Sequence, residues 1–411
     1  MKITEIETIQ IEEFPNIVYV RIHTNEGIVG LGETFFGANS VAAWIHDTGA
    51  AYLLGKDPLQ IDKHWMALNP FVGFNSTGIE NRARSAIDIA LWDILGKICN
   101  QPLYQLLGGK THERIKVYNT CAGPNYVRGK PTTAGLPTSN WGISRNNDES
   151  SQYEDLEWFL RDAGELAQSL LSMGIKGMKI WPFDIYAEQS GGHYISRDDL
   201  KKGCEPFRKV REAVGDKIEI MVEMHSMWDL PNAIKIAKAL EEYRPSWFED
   251  PIKMDNVDSL ARFADSTNIP VTASETLGTR WSFRELLERG HVGIVMFDPT
   301  WVGGVSESKK IVSMAEAYQL PIAPHDCMGP VEFSVAVHIS TNATNTLIQE
   351  VVRAYYTGWY KELVTNIPTV KEGYVYPLEG PGVGTELLPE VFERPDVLIK
   401  RSKLETSAIP T

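Results

Sequence analysis

Three glutamates recur at one fixed interval in the middle of the chain, and each follows a short apolar run. Glu223 follows IEIMV, Glu249 follows SWF and Glu275 follows IPVTAS, so successive members lie 26 residues apart (249 − 223 and 275 − 249). An interval of this length fits one strand and one helix, which indicates equivalent positions in consecutive units. Because the strand ends of a closed parallel barrel share one rim, the three carboxylates are expected to converge.

Converging carboxylates need a positive charge between them. Like charges a few ångströms apart favour protonation, and a hard divalent cation with oxygen ligands removes that penalty. Magnesium suits the set because it accepts a few carboxylates and keeps positions for water or substrate oxygens, whereas zinc favours His or Cys. We therefore predict Mg²⁺ as the cofactor, with Glu223, Glu249 and Glu275 as its ligands. The alternative is that each glutamate caps a helix or pairs with a Lys or Arg.

Further polar residues end later apolar runs. Asp298 (FDPT) and His325 (APHD) form a candidate general base, since a carboxylate beside an imidazole fixes its tautomer and raises its basicity. Glu350 (IQE) ends the last run. His225 lies two residues after Glu223 and, by strand alternation, should face the same side and donate a proton there. A cation, a base and an acid suit removal of the weakly acidic proton beside a carboxylate, with dehydration, racemisation or cyclisation as the outcome.

The elements that carry these residues indicate a barrel behind a smaller unit. Residues 2–34 alternate as a three-stranded meander, and the pattern from Asn81 to Leu107 is that of a helix. From Ile115 onward, short apolar runs are each followed by a helical pattern, and eight such runs are the number that closes a parallel barrel. These runs are IKVYNTCA, GMKIW, IEIMVEMH, SWFED, IPVTASE, VGIVMFD, LPIAPH and NTLIQE.

Two connections between these units are unusually long. Residues 123–152 and 182–200 each follow a strand on the face where barrel enzymes hold their chemistry, so we predict that they are binding loops or lids. The alternative is a surface elaboration or an oligomer contact. Within them, Trp141, His193 and Tyr194 are candidate substrate contacts.

Charge and composition exclude several classes of function. The 411 residues carry a formal net charge of -14 with dispersed Lys and Arg, which argues against nucleic acid. No signal peptide or membrane-length apolar run is evident, so we expect a cytoplasmic protein without a membrane partner. The four cysteines lack CxxC spacing and are expected to be reduced thiols. The glycines in Gly27–Gly32 do not match a dinucleotide-binding fingerprint.

The order and spacing of these residues resemble the enolase superfamily in its mandelate racemase branch. The resemblance runs from HTNEGIVGLGE and SAIDIALWDILGK through the glutamate triplet, DPTWVGG and APH to PLEGPGVG. It implies an α/β fold: an N-terminal α+β capping domain (1–114), a (β/α)7β modified TIM barrel (115–360) and a C-terminal segment returning to the cap (361–411). By the same resemblance the triplet falls on the magnesium ligands, His325 with Asp298 on the base, and Glu350 on a group near the substrate carboxylate.

One departure from the family bears on the reaction. Members that racemise often carry Lys-x-Lys on the second strand, but GMKIWPF has Lys179 at the first position and Trp181 at the second. A racemase with two bases is therefore disfavoured. Glu223 and His225 are instead similar to the D-x-H of sugar-acid dehydratases such as galactonate dehydratase, where the histidine is the acid. Lys179 is expected either to contact the substrate carboxylate or to form a structural ion pair, and Trp181 is expected near the substrate.

The resemblance thus favours a magnesium-dependent hydro-lyase, a lyase that converts an aldonate or aldarate into a 2-keto-3-deoxy acid by eliminating its 3-hydroxyl. Alternatives on the same fold are an epimerase, racemase or cycloisomerase of a sugar acid, and a sugar-acid-binding homologue without turnover. Relatives of this fold are often dimers or octamers, so a homo-oligomer is expected.

Overall fold

The computed structural model describes residues 1–69, 78–129, 138, 141–142 and 153–405. Most of the predicted connection 123–152 therefore lies outside the described residues.

The N-terminal residues form a sheet because their apolar side chains alternate, and Ile3, Ile9 and Ile11 are buried on one strand. The sheet is antiparallel in the order β13-β1-β2-β3, from β1 (Ile3–Ile11), β2 (Ile17–Thr24), β3 (Val29–Phe35) and β13 (Val397–Lys403).

A long buried helix packs on this sheet and explains its glycines. A Cβ atom at Gly30 or Gly32 would collide with the helix backbone at Ala90 or Ala86, so the glycine run permits close packing. The helices of this unit are α1 (Ala38–Trp44), α2 (Ala50–Leu53), α3 (Ile61–Ala67), α4 (Ile79–Cys99) and α5 (Leu103–Leu107), with a π-helical turn at Ile45–Gly49 between the first two.

The eight predicted runs form a parallel barrel. Its strands are β4 (Ile115–Thr120), β5 (Gly177–Ile180), β6 (Glu219–Glu223), β7 (Trp247–Glu249), β8 (Val271–Ala273), β9 (Ile294–Val295) and β10 (Gln349–Val351). The seventh run contributes a single bridged position, Ile322, which pairs with Val295 on one side and Thr346 on the other. Because β10 pairs with β4, the ring closes, and the predicted fold class is confirmed.

Barrel-facing side chains fill the interior, as in other closed parallel barrels. Tyr118, Met221, Trp247, Ile294 and Met296 are among the members of this buried cluster. The surrounding helices are α6 (Asp155–Ser172), α7 (Asp184–Ser190), α8 (Arg197–Val214), α9 (Leu230–Leu240), α10 (Val257–Ala264), α11 (Thr279–Arg289), α12 (Pro299–Val302), α13 (Gly304–Ala317), α14 (Pro330–Asn342) and α15 (Arg353–Thr357). The predicted connection 182–200 thus contains α7 and the start of α8.

The C-terminal segment contacts both sheets. Strand β12 (Tyr374–Tyr376) pairs antiparallel with β4, and β11 (Thr369–Lys371) pairs antiparallel with β12, so both extend the barrel sheet. Helix α16 (Pro389–Glu393) follows, and β13 pairs with β1. Short 3-10 turns occupy Gly215–Lys217, Glu241–Tyr243 and Trp359–Glu362. The domain boundaries at 114 and 360 stay predictions. Across the described ranges, no helix is long and apolar enough to cross a bilayer.

Candidate active site

The three glutamates at equal spacing meet at one rim of the barrel. Glu223 and Glu249 end adjacent strands and lie directly opposite each other in the register, while Glu275 follows β8 by two residues. One carboxylate oxygen from each lies within 4.8 Å of the others. Glu223 and Glu249 are almost fully buried, so water screens their charges poorly. The spacing therefore produces the predicted convergence.

The pKa values of the glutamates in this cluster are shifted in different directions. Burial and the charge of Glu223 hold the pKa of Glu249 well above its usual range. Burial also disfavours the charged form of Glu275, but His325 outweighs it and lowers the pKa of Glu275 to about 2. Among the described residues, Glu223 Oε2 accepts no hydrogen bond, although it lies 3.2 Å from Lys179 Nζ. Three carboxylates, two of them buried, with one oxygen that accepts no hydrogen bond from the described residues, fit a hard divalent cation, so these residues could hold a metal ion.

Lys179 lies among the carboxylates of the rim. Its Nζ atom on β5 pairs with Glu249, lies 3.2 Å from Glu223 Oε2 and lies 2.9 Å from Glu350 Oε1. Burial disfavours its ammonium form, but Glu249 and Glu350 outweigh that effect and hold the pKa of Lys179 well above its usual value. Lys179 therefore stays charged and forms the ion pairs that the sequence left as one of two possibilities.

Glu350 on β10 is fully buried beside this lysine. Its Oε1 atom also accepts a hydrogen bond from Thr120, and its Oε2 atom accepts one from the backbone N–H of Asp326 at 2.9 Å. These contacts fix the carboxylate from both sides. Its predicted contact with the substrate carboxylate stays a prediction.

Asp298 and His325 form a buried pair at the ends of neighbouring runs. His325 Nδ1 lies 2.9 Å from Asp298 Oδ2, and His325 Nε2 lies 2.9 Å from Glu275 Oε2. The other oxygen of Asp298 accepts hydrogen bonds of 2.6 Å from the backbone and the hydroxyl of Thr300, which fixes the carboxylate at the start of α12. Burial lowers the pKa of His325, but Glu275 and Glu350 outweigh it and hold the pKa well above its usual value.

His225 lies at the same site, but the backbone that places it there is not the extended strand that was predicted. Strand β6 ends at Glu223, and the backbone then turns through left-handed conformations at His225 (φ 45°) and Ser226 (φ 56°). Strand alternation is therefore the wrong reason for its placement. Its backbone N–H donates to Glu223 Oε1 at 2.7 Å, and its Nδ1 lies 2.6 Å from Asp184 Oδ2. Burial lowers the pKa of His225, but Asp184 and Glu223 raise it to about 9.

A small cavity lies against these groups. Its lining includes six predicted site residues: Lys179, Trp181, Glu223, His225, Glu275 and His325. The remaining lining residues are Phe36, Thr120, Tyr126, Val127, Cys327 and Met328. Phe36 comes from the turn after β3, so the capping sheet contributes one wall, while Trp181 packs edge-on against His225 at a ring separation of 5.7 Å.

Three predicted substrate contacts lie outside this cavity. The side chain of His193 is 77% exposed and lies 3.2 Å from Asp229, and Tyr194 is 65% exposed. Both lie on the exposed connection between α7 and α8. Trp141 is buried in the apolar core and is absent from the cavity lining. The structure therefore does not bring these residues to the carboxylate cluster.

Two residues of the site are absent from the sequence-based predictions. Asp184 stands at the start of α7, within a segment interpreted as an insertion, and Tyr126 follows a Gly-Pro pair. Tyr126 lies with its hydroxyl 3.5 Å from His225 Nε2. The WPFD sequence after β5 is the only local hint, since it places a carboxylate four residues beyond the strand end.

Comparison with known protein families agrees with this geometry. The N-terminal domain model of mandelate racemase and muconate lactonizing enzyme matches residues 6–108, and the enolase C-terminal domain-like model matches residues 162–391. The chain belongs to the mandelate racemase branch of the enolase superfamily. The resemblance drawn from its sequence is thereby confirmed.

Similar proteins of this superfamily include dehydratases. The chain is 30% identical to D-galactonate dehydratase of Pectobacterium atrosepticum over 98% of this chain and 95% of that protein. An enolase of the mandelate racemase subgroup from Agrobacterium tumefaciens is 48% identical, with a TM-score of 0.85 over 98% of this chain and 99% of that one. An enolase protein from Sargasso Sea environmental sequencing is 39% identical, with a TM-score of 0.86 over 98% and 99% of the two chains. The family match and the dehydratase relative identify the chain as a hydro-lyase of this superfamily.

Proposed function

We propose that this enzyme is a magnesium-dependent dehydratase of a sugar acid, an aldonate or aldarate, and that its product is a 2-keto-3-deoxy acid. The observation that carries the proposal is that two paired imidazoles, those of His325 and His225, line one cavity beside three converging carboxylates. One imidazole can take a proton while the other delivers one, and loss of water requires both. The similarity to D-galactonate dehydratase supports a sugar acid as the substrate.

Glu223, Glu249 and Glu275 are the residues that would hold the cation. When bound, Mg²⁺ supplies positive charge beside the substrate carboxylate, where negative charge develops. Lys179 adds a fixed ammonium among the same carboxylates, within 3.2 Å of Glu223. The proton beside a carboxylate is so weakly acidic that a base alone would not remove it, so this concentration of positive charge is part of the mechanism.

The two histidines divide the proton transfers. His325 Nε2 accepts the proton from C2, while Asp298 keeps the opposite nitrogen protonated and the ring oriented. His225 Nε2 then donates a proton to the hydroxyl on C3, the C3–O bond breaks, and water leaves. The resulting enol becomes the 2-keto-3-deoxy acid. Glu275 is one of the carboxylates that raise the pKa of His325, and it is also one of the residues that would hold the cation. A bound cation would offset the charge of Glu275 and so favour the neutral, basic imidazole.

Trp181 argues against the alternative of racemisation. A racemase needs a base on each face of the carbon, and the second position of the Lys-x-Lys motif holds this buried indole instead. Its ring packs against Tyr126 and His225, at centroid separations of 5.3 and 5.7 Å. His225 is the remaining candidate for a second base, so the product must be measured directly.

A library of aldonates and aldarates, incubated with the enzyme and MgCl₂, tests the proposal. We expect at least one acid to give a 2-keto product that reacts with semicarbazide, and we expect the Glu249→Gln variant to give none. A parallel incubation in D₂O reports exchange at C2. Exchange without a 2-keto product would refute dehydration in favour of epimerisation, and tight binding of a sugar acid without either reaction would indicate a protein that has lost turnover.

A further inference from the structure

The site contains a second Asp–His pair. Its two residues do not lie at the ends of consecutive strands, so the strand spacing did not predict the pair. Asp184 begins α7, and its Oδ2 atom lies 2.6 Å from His225 Nδ1. Asp184 is 3% exposed, and its other oxygen accepts no hydrogen bond within the part of the chain that the structure describes. Among the described residues, the carboxylate of Asp184 therefore has one hydrogen-bond partner, the Nδ1 atom of His225.

Helix capping does not account for this buried carboxylate. The cap position of α7 is Phe183, and neither oxygen of Asp184 accepts a hydrogen bond from the backbone of the described chain. Burying a carboxylate is costly unless it gains a partner, and here the partner is His225. An Asp–His pair outside the cavity offers a contrast: Asp229 lies 3.2 Å from the exposed His193 and also caps α9 through the N–H of Asn232.

The contacts around His225 leave one nitrogen for the substrate. Nδ1 is paired with Asp184, the backbone N–H donates to Glu223, and the ring makes a T-shaped contact with Trp181. Nε2 lies 3.5 Å from the hydroxyl of Tyr126, and both residues line the cavity. A carboxylate that accepts from Nδ1–H fixes the tautomer and the orientation of the ring. Nε2 is therefore the nitrogen that can act on a bound molecule.

We propose that Asp184 is the positioning residue for the elimination half of the reaction, an inference that rests on the proposed dehydration. It holds the Nδ1 proton and the ring plane of His225 so that Nε2–H is directed at the departing hydroxyl. In that step the Nε2–H and C3–O bonds break, the O–H bond of water forms, and the electron pair left at C2 by proton abstraction forms the C2–C3 double bond of the enol. The imidazole is left neutral, with its remaining proton on Nδ1 shared with Asp184. Removal of the C2 proton by His325 does not involve Asp184.

The Asp184→Asn variant of the full chain, assayed with MgCl₂ in D₂O, separates the two halves. We expect formation of the 2-keto acid to fall by roughly a hundredfold or more, and exchange at C2 to stay within about threefold of wild type. Asp229→Asn is the matched control, since Asn is an equally good helix cap, and both rates should be unchanged. Equal loss of both reactions in Asp184→Asn would show a merely structural role and overturn the proposal.

Two further measurements keep the proposal falsifiable if that variant folds poorly. The double variant Asp184→Asn/His225→Asn should eliminate no more slowly than His225→Asn alone, because Asp184 acts only through that ring. Nitrogen-15 NMR of wild-type His225 needs no substrate and should show a proton on Nδ1. An unprotonated Nδ1 overturns the proposal even if dehydration is observed. A wild-type enzyme that exchanges C2 protons without forming a 2-keto acid refutes the proposed function, and the elimination step falls with it.

Discussion

The two Asp–His pairs of the active site differ in how the fold builds them and in what the second ring nitrogen meets. Asp298 and His325 come from consecutive barrel runs, whereas Asp184 comes from a helix after β5 and His225 from a left-handed turn after β6. His325 Nε2 lies 2.9 Å from Glu275, a candidate metal ligand. The Nε2 atom of His225 lies 3.5 Å from the Tyr126 hydroxyl instead.

Under the proposed function, this difference teaches that two chemically similar pairs would serve opposite proton transfers. The imidazole whose Nε2 faces the carboxylate cluster would act where a bound cation activates the substrate. The imidazole whose Nε2 faces the Tyr126 hydroxyl would act one carbon farther along the substrate. The division of labour follows from the neighbours of each ring, since the Asp contact at Nδ1 is common to both.

Removing the divalent cation should abolish the reactions of both Asp–His pairs, because both proton transfers depend on charge stabilisation beside the substrate carboxylate. We expect chelation with EDTA to lower C2 exchange and 2-keto acid formation by at least about a thousandfold, since a cation supplies several kcal/mol of that stabilisation. Adding MgCl₂ back should restore both rates. Turnover that persists after exhaustive chelation would contradict the assignment of Glu223, Glu249 and Glu275.

Replacing His325 should remove both reactions, because elimination follows proton abstraction. We expect His325→Asn to lower C2 exchange and elimination together by about 10³-fold, within the range measured for general bases. Deuterium wash-in followed by NMR gives the first rate, and semicarbazide gives the second. Full exchange in this variant would assign the base to another residue.

Replacing His225 should separate the reactions. We expect His225→Asn to lower elimination by roughly a hundredfold or more while C2 exchange stays within about tenfold of wild type. The same two assays, run on one sample, give the ratio of exchange to elimination. An unchanged ratio would remove the distinction between the two pairs.

Glu33 binds the segment after His325, and we expect it to make the stability of the protein depend on pH. It accepts backbone hydrogen bonds from Val331 (3.2 Å) and Glu332 (3.1 Å), and burial raises its pKa from 4.5 to about 8 despite these bonds. Between those pH values the folded state holds a proton that the unfolded state has lost, so the free energy of unfolding falls as pH rises.

We expect Glu33→Gln to flatten this dependence. One pKa unit is worth about 1.4 kcal/mol, so the difference should reach a few kcal/mol near pH 8. Urea unfolding at pH 5 and pH 8 measures it, with the exposed Glu390→Gln as a control. Parallel pH dependences in Glu33→Gln and wild type would show that Glu33 is ionised in the folded protein.

The exposed pair of His193 and Asp229 should have the smallest effect. Because the side chain of His193 is 77% exposed and lies outside the cavity, we expect His193→Gln to change kcat and KM by less than about twofold. Steady-state kinetics with the acid found in the library measure this. A large rise in KM would show that this surface segment folds over the substrate and would restore the original prediction for His193.

The barrel and the glutamate cluster could be predicted from the sequence because a repeated strand and helix unit returns equivalent positions to one rim. The 26-residue interval expresses that repetition, and register places Glu223 opposite Glu249. Asp298 and His325 were predictable for the same reason. Each lies at the end of an apolar run, where position along the chain nearly fixes position in space.

The rest of the site could not be predicted because it lies on connections. The direction of a connection depends on the packing of its side chains against neighbouring helices, and the spacing of strand ends carries no information about it. Asp184 was therefore missed, and His193 and Tyr194, from the same segment, were placed too close to the chemistry. Trp141 was misjudged similarly, since an aromatic residue in a polar stretch can as readily complete the apolar core.

The pairing of β13 with β1 has a consequence for how the protein is made. The capping sheet pairs two strands that are far apart along the chain, because Ile9 lies opposite Ile399. Until Val397–Lys403 has left the ribosome, one edge of β1 has no strand beside it, and an open edge can pair with another chain. The nascent enzyme thus depends on β13 to shield β1, and deletion of β13 should promote aggregation although it removes no catalytic residue.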